Sequence, residues 1–199
     1  MSVLVQKEAP DFTATAILPD NSIEEDFSLR KHRGRYVVLF FYPLDFTFVC
    51  PSEILAFDHR LDEFRARDCE VIGVSVDSHF THLAWKNTPV DDGGIGAVGF
   101  PLVADLTKQI ARDYGILSTD SVALRGTFLI DREGIVRHQV VNDLDLGRNI
   151  DDVLRTLDAL QHSEKSGDVC PANWEKGRQA MSPTPAGVKK YLKDFGLKL

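Results

Sequence analysis

Apolar positions along the chain follow two different rhythms. Residues 36–42 (YVVLFFY) form an unbroken apolar run, β-branched and aromatic, which predicts a central strand buried on both faces. From Pro51 the period lengthens. Ile54, Phe57, Leu61 and Phe64 fall on one helical face and predict a single helix carrying all four. Residues 71–76 (VIGVSV) read as the next strand, 80–85 as a helix that stops before Pro89, and 100–104 as a strand. A helix is predicted over 107–114, capped by Thr107 and closed by Gly115. Residues 127–130 and 135–141 read as two strands joined by a turn at Asp131-Arg132-Glu133-Gly134, with glycine in the left-handed position. Ile150, Val153, Leu154, Leu157 and Leu160 make a helical stripe behind an Asn149 cap.

Strands and helices alternate first, and a hairpin and helix follow. That order predicts an α/β fold with a mixed central sheet flanked by helices. Residues 12–18 and 23–29 add an N-terminal hairpin around Pro19-Asp20-Asn21. After Lys165 the texture changes to an irregular stretch containing Pro171, Pro183 and Pro185, and then a short helix over 186–195. The expected organisation is a main domain over residues 1–165 and a C-terminal arm over 166–199.

Composition narrows the partners. The 199 residues include 30 acidic and 23 basic side chains, for a formal charge of -7, which disfavours nucleic acid or an anionic membrane surface as the main partner. The N-terminal apolar run, Val3-Leu4-Val5, stops at Gln6-Lys7-Glu8 and lacks a secretory pattern. The longest apolar stretch, 36–42, is too short for a bilayer. The expected location is cytoplasmic.

The chain has 3 cysteines, widely spaced and without C-x-x-C, so neither a zinc knuckle nor a vicinal dithiol is indicated. In a reducing compartment such cysteines are either inert core residues or redox-active ones. Cys50 directly precedes Pro51, the residue favoured at a first helical position. A thiol there meets unpaired backbone N–H groups and the positive end of the helix dipole, both of which favour thiolate. Thr47 offers a hydroxyl three residues upstream. On position alone, a small apolar residue filling a helix start is an equally good reading.

The local motif separates these readings. Pro43-x3-Thr47-x2-Cys50, within FYPLDFTFVCPSE over 41–53, resembles the active-site signature of typical two-cysteine peroxiredoxins. Further matches lie at Asp77-Ser78-His79-Phe80, His82-Leu83-Ala84-Trp85, Asn87-Thr88-Pro89, Arg125-Gly126-Thr127-Phe128 and Val169-Cys170-Pro171. The resemblance extends over essentially the whole chain and departs mildly at Ser52, where threonine is common.

The resemblance implies a thioredoxin-like fold and a thiol-dependent peroxidase without metal or other cofactor. Cys50 would attack a hydroperoxide. Thr47 would hydrogen-bond thiolate and peroxide, Pro43 would shield the pocket, and Arg125 would pair with the thiolate and hold the peroxide. Glu53 and Arg148 would brace that arginine. Cys170, in the segment DVCPANW over 168–174, would resolve the sulfenic acid as a disulfide with Cys50 of another subunit. The residues themselves leave an intrachain bond equally open. Thioredoxin or a dedicated flavoprotein disulfide reductase would be the reductant, and homodimers would assemble into a decamer. A holdase chaperone and a redox relay to a client protein are the rivals, since both would use the same assembly.

Acidity alone cannot make such a thiol fast. Lowering a thiol pKa from about 8.5 to about 6 raises the thiolate fraction at pH 7 about 30-fold, but nucleophilicity falls about tenfold. Donors aimed at the breaking O–O bond must supply the rest.

Other motifs read as structural. Cys69 opens a strand in apolar surroundings and is expected to be a core thiol. Gly94-Ile95-Gly96-Ala97-Val98-Gly99 fits G-x-G-x-x-G, but Pro89 precedes it and a strand follows, so the dinucleotide-binding context is absent. His79 and His82 share a helix face, yet a metal site would need a third ligand nearby.

Overall fold

The computed structural model describes residues 3–196. Its contacts divide the chain into two units, residues 1–148 and 149–199. The first unit holds one seven-stranded sheet. Its strands are β1 (Thr13–Ile17), β2 (Ile23–Ser28), β3 (Tyr36–Phe41), β4 (Cys69–Ser75), β5 (Leu102–Ala104), β6 (Arg125–Ile130) and β7 (Val136–Asn142), ordered β2-β1-β5-β4-β3-β6-β7. β3 runs parallel to β4 and β4 to β5, and every other pairing is antiparallel, so the sheet is mixed as expected.

All six residues of β3 are buried, which is why its sequence shows no polar alternation. Its side chains divide between two faces. Phe40 stacks on Phe57 at 4.4 Å and meets Phe100 edge-on at 5.6 Å, while Phe41 packs on Tyr114 and Phe128 at 5.1 and 5.8 Å. The β6–β7 turn is tight at Gly134, whose φ is 81° and where a Cβ would lie 1.8 Å from Arg33 Nη1.

Four α-helices belong to this unit: α1 (Cys50–His59), α2 (Leu61–Arg65), α3 (His79–Lys86) and α4 (Gln109–Asp113). The stripe Ile54, Phe57, Leu61, Phe64 is buried as predicted, but it spans two helices. Arg60 leaves the helical region at φ -108°, ψ 7°, and its N–H bonds Phe57 O at 3.2 Å, an i to i−3 tightening that ends α1. α4 differs from expectation at its start. Asp105, not Thr107, takes the free N–H groups, accepting from Ile110 at 3.1 Å and Ala111 at 2.7 Å. A buried carboxylate outcompetes the exposed Thr107 hydroxyl, whose contact with Gln109 N is 3.4 Å.

In the second unit, α5 (Ile150–Ser166) is capped by Asn149, whose Oδ1 accepts from Asp151 N at 2.9 Å. Gly167, at φ 74°, closes it. An irregular stretch follows, pinned by a bridge between Val169 and Met181, and ends in α6 (Pro185–Phe195), capped by Thr184. Among the described residues no helix is long and apolar enough to cross a membrane.

Candidate active site

β3 delivers the chain to a buried Tyr42-Pro43 step, and residues 43–49 loop from there into α1. Cys50 is the first residue of α1, with Pro51 behind it, and is fully buried. Thr47 Oγ1 lies 3.0 Å from Cys50 Sγ and Arg125 Nη1 lies 3.3 Å from it. The Thr47 hydroxyl also sits 2.9 Å from Leu44 O. It has one proton and two acceptors to choose from, so it can serve the sulfur in either protonation state.

Arg125 opens β6 and is held at both ends of its guanidinium. Nε donates to Leu144 O at 2.8 Å and Nη1 to Glu53 Oε2 at 2.6 Å. Glu53 sits in the first turn of α1, three residues after Cys50, and is itself buried. Its Oε1 accepts from the backbone N and the Nε of Arg148, at 3.0 and 2.9 Å. Arg148 also donates to Gly126 O at 3.3 Å and to Phe41 O, and its guanidinium lies 5.2 Å over the Phe40 ring. Burial pushes the Arg148 guanidinium below its ordinary value, with Glu53 opposing. Two guanidinium groups and one carboxylate leave this buried cluster one positive charge in excess, and a thiolate on Cys50 brings it to zero.

The structure thus brings together Cys50, Thr47, Arg125, Glu53 and Arg148, and places Pro43, buried, at the head of the same loop. Cys170 belongs to the second unit. It is half-buried, and its Sγ donates to Ala159 O at 3.5 Å. Burial pushes its thiol up, Arg155 opposes this, and Asp168 adds to it. Trp174, four residues on, is buried, with Nε1 donating to Arg178 O at 3.1 Å and its ring 4.9 Å from that of His162. Cys69 is a core thiol as expected, buried and pushed far up by that burial. The glycine run folds back against α3, where Trp85 Nε1 donates to Gly93 O at 3.0 Å, and it leads into β5 rather than a helix.

A buried network beside the active-site loop escaped the sequence reading. Asp45, in the loop, accepts from Tyr42 OH at 2.9 Å and pairs with His82 Nδ1 at 2.7 Å. The other ring nitrogen of His82 faces Val103 O at 3.2 Å. Both nitrogens of His82 are therefore engaged, and His79 instead packs its ring on Phe80 at 4.0 Å. Asp45 and His82 lie 37 residues apart, each in a stretch that carries the resemblance, with no local signal that pairs them.

A buried cysteine at a helix start, flanked by a hydroxyl and a clamped guanidinium, defines a thiol-nucleophile site on a mixed α/β sheet. The family model described as AhpC/TSA matches residues 5–139, and the model for the C-terminal domain of 1-Cys peroxiredoxin matches 159–194. The chain belongs to the AhpC/TSA family. Cys170 falls inside a segment whose model is described for one-cysteine members. The chain is 56% identical over 198 residues to alkyl hydroperoxide reductase C of Helicobacter pylori, covering 99% of this chain and 100% of that protein. It is 52% identical over 189 residues to peroxiredoxin-1 of Gallus gallus, covering 94% of each. The reduced 2-Cys peroxiredoxin of Plasmodium vivax superposes with a TM-score of 0.94 at 54% identity, covering 96% of this chain and 100% of that one. The fold is thioredoxin-like, as the resemblance implied.

Proposed function

We propose that this chain is a thiol-dependent peroxidase that reduces hydrogen peroxide and organic hydroperoxides at Cys50. The observation that carries the reading is the position of the sulfur, 3.0 Å from a hydroxyl and 3.3 Å from a guanidinium that a buried carboxylate holds in place. The Cys50 thiolate attacks the distal peroxide oxygen. The O–O bond breaks, its electron pair leaves with the second oxygen, and that oxygen takes a proton to depart as water or alcohol. Cys50 is left as sulfenic acid. Thr47 and Arg125 donate to the two oxygens as charge moves from sulfur to the leaving group. Pro43 keeps water from the sulfur, and Glu53 with Arg148 keeps Arg125 aimed.

The Cys170 thiol, carried by the 166–199 arm of a second subunit, then attacks the sulfenic sulfur. An S–S bond forms and water leaves. An external dithiol, from thioredoxin or a flavoprotein disulfide reductase, returns both cysteines to thiols, which suits a cytoplasmic setting. Exposed Phe46, Phe48 and Phe80 support assembly of homodimers into a larger ring, a decamer by the resemblance.

One experiment tests both half-reactions. One equivalent of peroxide should yield a disulfide-linked dimer on non-reducing electrophoresis, absent in Cys170→Ser, and NADPH-coupled turnover should follow with one of the two reductants. Loss of thiols without a dimer band would make the disulfide intrachain, and failure of peroxide to consume thiols at all would refute the peroxidase.

A further inference from the structure

Cys170 lies in an irregular stretch, yet the turn that follows it is fastened to α5 at several points. Trp174 N–H donates to Pro171 O at 3.1 Å, closing a turn over residues 171–174 in which Asn173 holds φ at 58°. The Trp174 ring is buried against that of His162 at 4.9 Å. Arg155 Nη1 donates to Trp174 O at 3.4 Å, and its Nε donates to Asp152 Oδ1 at 2.8 Å, one helical turn back. Ala159 stands one turn on from Arg155 on the same face of α5, and its carbonyl oxygen lies 3.5 Å from Cys170 Sγ. Beyond the turn, Lys176 Nζ reaches Asp158 Oδ1 at 3.3 Å.

Opposing influences meet at this sulfur. A carbonyl can only accept, so the contact with Ala159 O is open to a thiol and is lost by a thiolate. Burial also pushes the Cys170 thiol up. The charges that act on it are Arg155 from α5, which favours thiolate, and Asp168 from the arm, which disfavours it. The resolving step needs the thiolate. Cys170 gives up its proton to solvent, and its electron pair forms the S–S bond. The S–O bond of the sulfenic acid breaks, and the departing hydroxide takes up a proton as water.

We propose that Arg155 is a positioning residue for the resolving step, fastening the turn that follows Cys170 to α5 and keeping a guanidinium charge within reach of its sulfur. This rests on the peroxidase reading above. Arg155 acts on the hand-off of oxidation to Cys170 and not on the capture of peroxide by Cys50.

Two substitutions in the full-length protein separate charge from clasp. Arg155→Gln removes the charge, and Arg155→Lys keeps it without the fork. Each protein receives one equivalent of hydrogen peroxide, and loss of the Cys50 sulfenic acid to disulfide is followed by mass spectrometry of acid-quenched samples. Iodoacetamide alkylation, read at Cys50 and Cys170 as separate peptides, gives both thiol pH profiles without peroxide.

For every pH unit by which a thiol titrates later, its thiolate falls about tenfold and its nucleophilicity recovers about threefold, a net loss of about threefold. In Arg155→Gln the sulfenic acid should therefore decay about 3- to 10-fold more slowly at pH 7, with the Cys170 alkylation profile displaced to higher pH. Formation of the sulfenic acid, and alkylation at Cys50, should stay within about twofold of wild type. Arg155→Lys should bring the Cys170 profile most of the way back while decay stays a few-fold slow, since one ammonium cannot serve Asp152 and Trp174 O in the same geometry. Decay in Arg155→Gln equal to wild type, slower decay with an unmoved Cys170 profile, or a lysine variant displaced as far as the glutamine variant would overturn the proposal. If Arg155→Gln does not fold, Arg155→Lys decides: decay slower than wild type supports the clasp, and decay equal to wild type overturns it. Wild-type protein that forms no sulfenic acid would fault the peroxidase reading, whereas a displaced Cys170 profile in Arg155→Gln would still support the part given to Arg155.

Discussion

Cys50 and Cys69 stand at opposite ends of one parallel strand pair, and only one of them is placed to react. The register sets Cys69 beside Tyr36 at the start of β3, whereas Cys50 follows the loop that leaves the far end of β3. Both are buried. Around Cys69 burial dominates, opposed by a backbone hydrogen bond from Val38; its sulfur faces Glu70 O at 3.6 Å, the carboxylates of Glu70 and Asp68 add to the effect of burial, and Arg67 weakly opposes it. Around Cys50 they are a hydroxyl, a guanidinium and the free end of a helix. Burial by itself silences a thiol, and burial against fixed donors puts it to use. The carboxyl ends of parallel strands are where connecting loops can gather such donors, whereas the opposite end here sets Cys69 in the core beside the carboxylates of Glu70 and Asp68.

The sharpest test of the contrast is to remove each sulfur. Cys50→Ser should lower peroxide reduction by about 10³-fold or more, as loss of a nucleophile does. Cys69→Ser should keep turnover near wild type and cost about 1–3 kcal/mol of stability, read as a shift in denaturant midpoint, because a hydroxyl replaces sulfur in an apolar site. Comparable activity losses in the two variants would erase the distinction.

A smaller effect is expected from the donor at Cys50. Arg125→Lys keeps the charge but cannot bond Leu144 O, Glu53 and the sulfur at once. The peroxide rate should fall about 10²–10³-fold, while the iodoacetamide rate changes several-fold at most. A peroxide loss no larger than the alkylation loss would reduce the arginine to a source of charge.

The smallest effect belongs to Cys69 and appears only in base. Unfolded, its thiol titrates near 9.0, and burial raises the folded value far above that. Above about pH 9 the folded chain keeps a proton that the unfolded chain loses, so the stability due to this group is intact below that pH and declines above it, by about 1.4 kcal/mol per pH unit. Tyr42 and Tyr114, also raised by burial, add to the slope in both proteins. The stability of Cys69→Ser should therefore fall less steeply between about pH 9 and 10.5 than that of wild type, and equal slopes would refute the assignment.

Much of the fold was legible because it is periodic. The unbroken run of β3 and the caps at Asn149 and Gly115 were readable from neighbours in the chain. The break at Arg60 was not, because the apolar spacing runs through it unchanged, and the Asp105 cap was not, because a nearer hydroxyl looked sufficient. The site divides in the same way. Cys50 and Thr47 announce themselves within one loop. Arg125 and Arg148 reach Glu53 from 72 and 95 residues away, and no local pattern marks them, so they came from resemblance. Asp45 and His82 each fall in a matching motif, but nothing in the sequence pairs them, and that needed three dimensions.

Glu53 and Cys50 share one helical turn, and this gives the reaction a direction in time. The disulfide proposed above must form at a sulfur that is fully buried, so that turn has to open before the two Cα atoms can come within about 7 Å. Opening it carries Glu53 away from both Arg125 and Arg148. In the proposed cycle, the molecule that hands its oxidation on has thereby dismantled the device that accepts it. Capture and hand-off become successive states of one short segment, a ratchet that returns to its starting position only when the sulfur is free again.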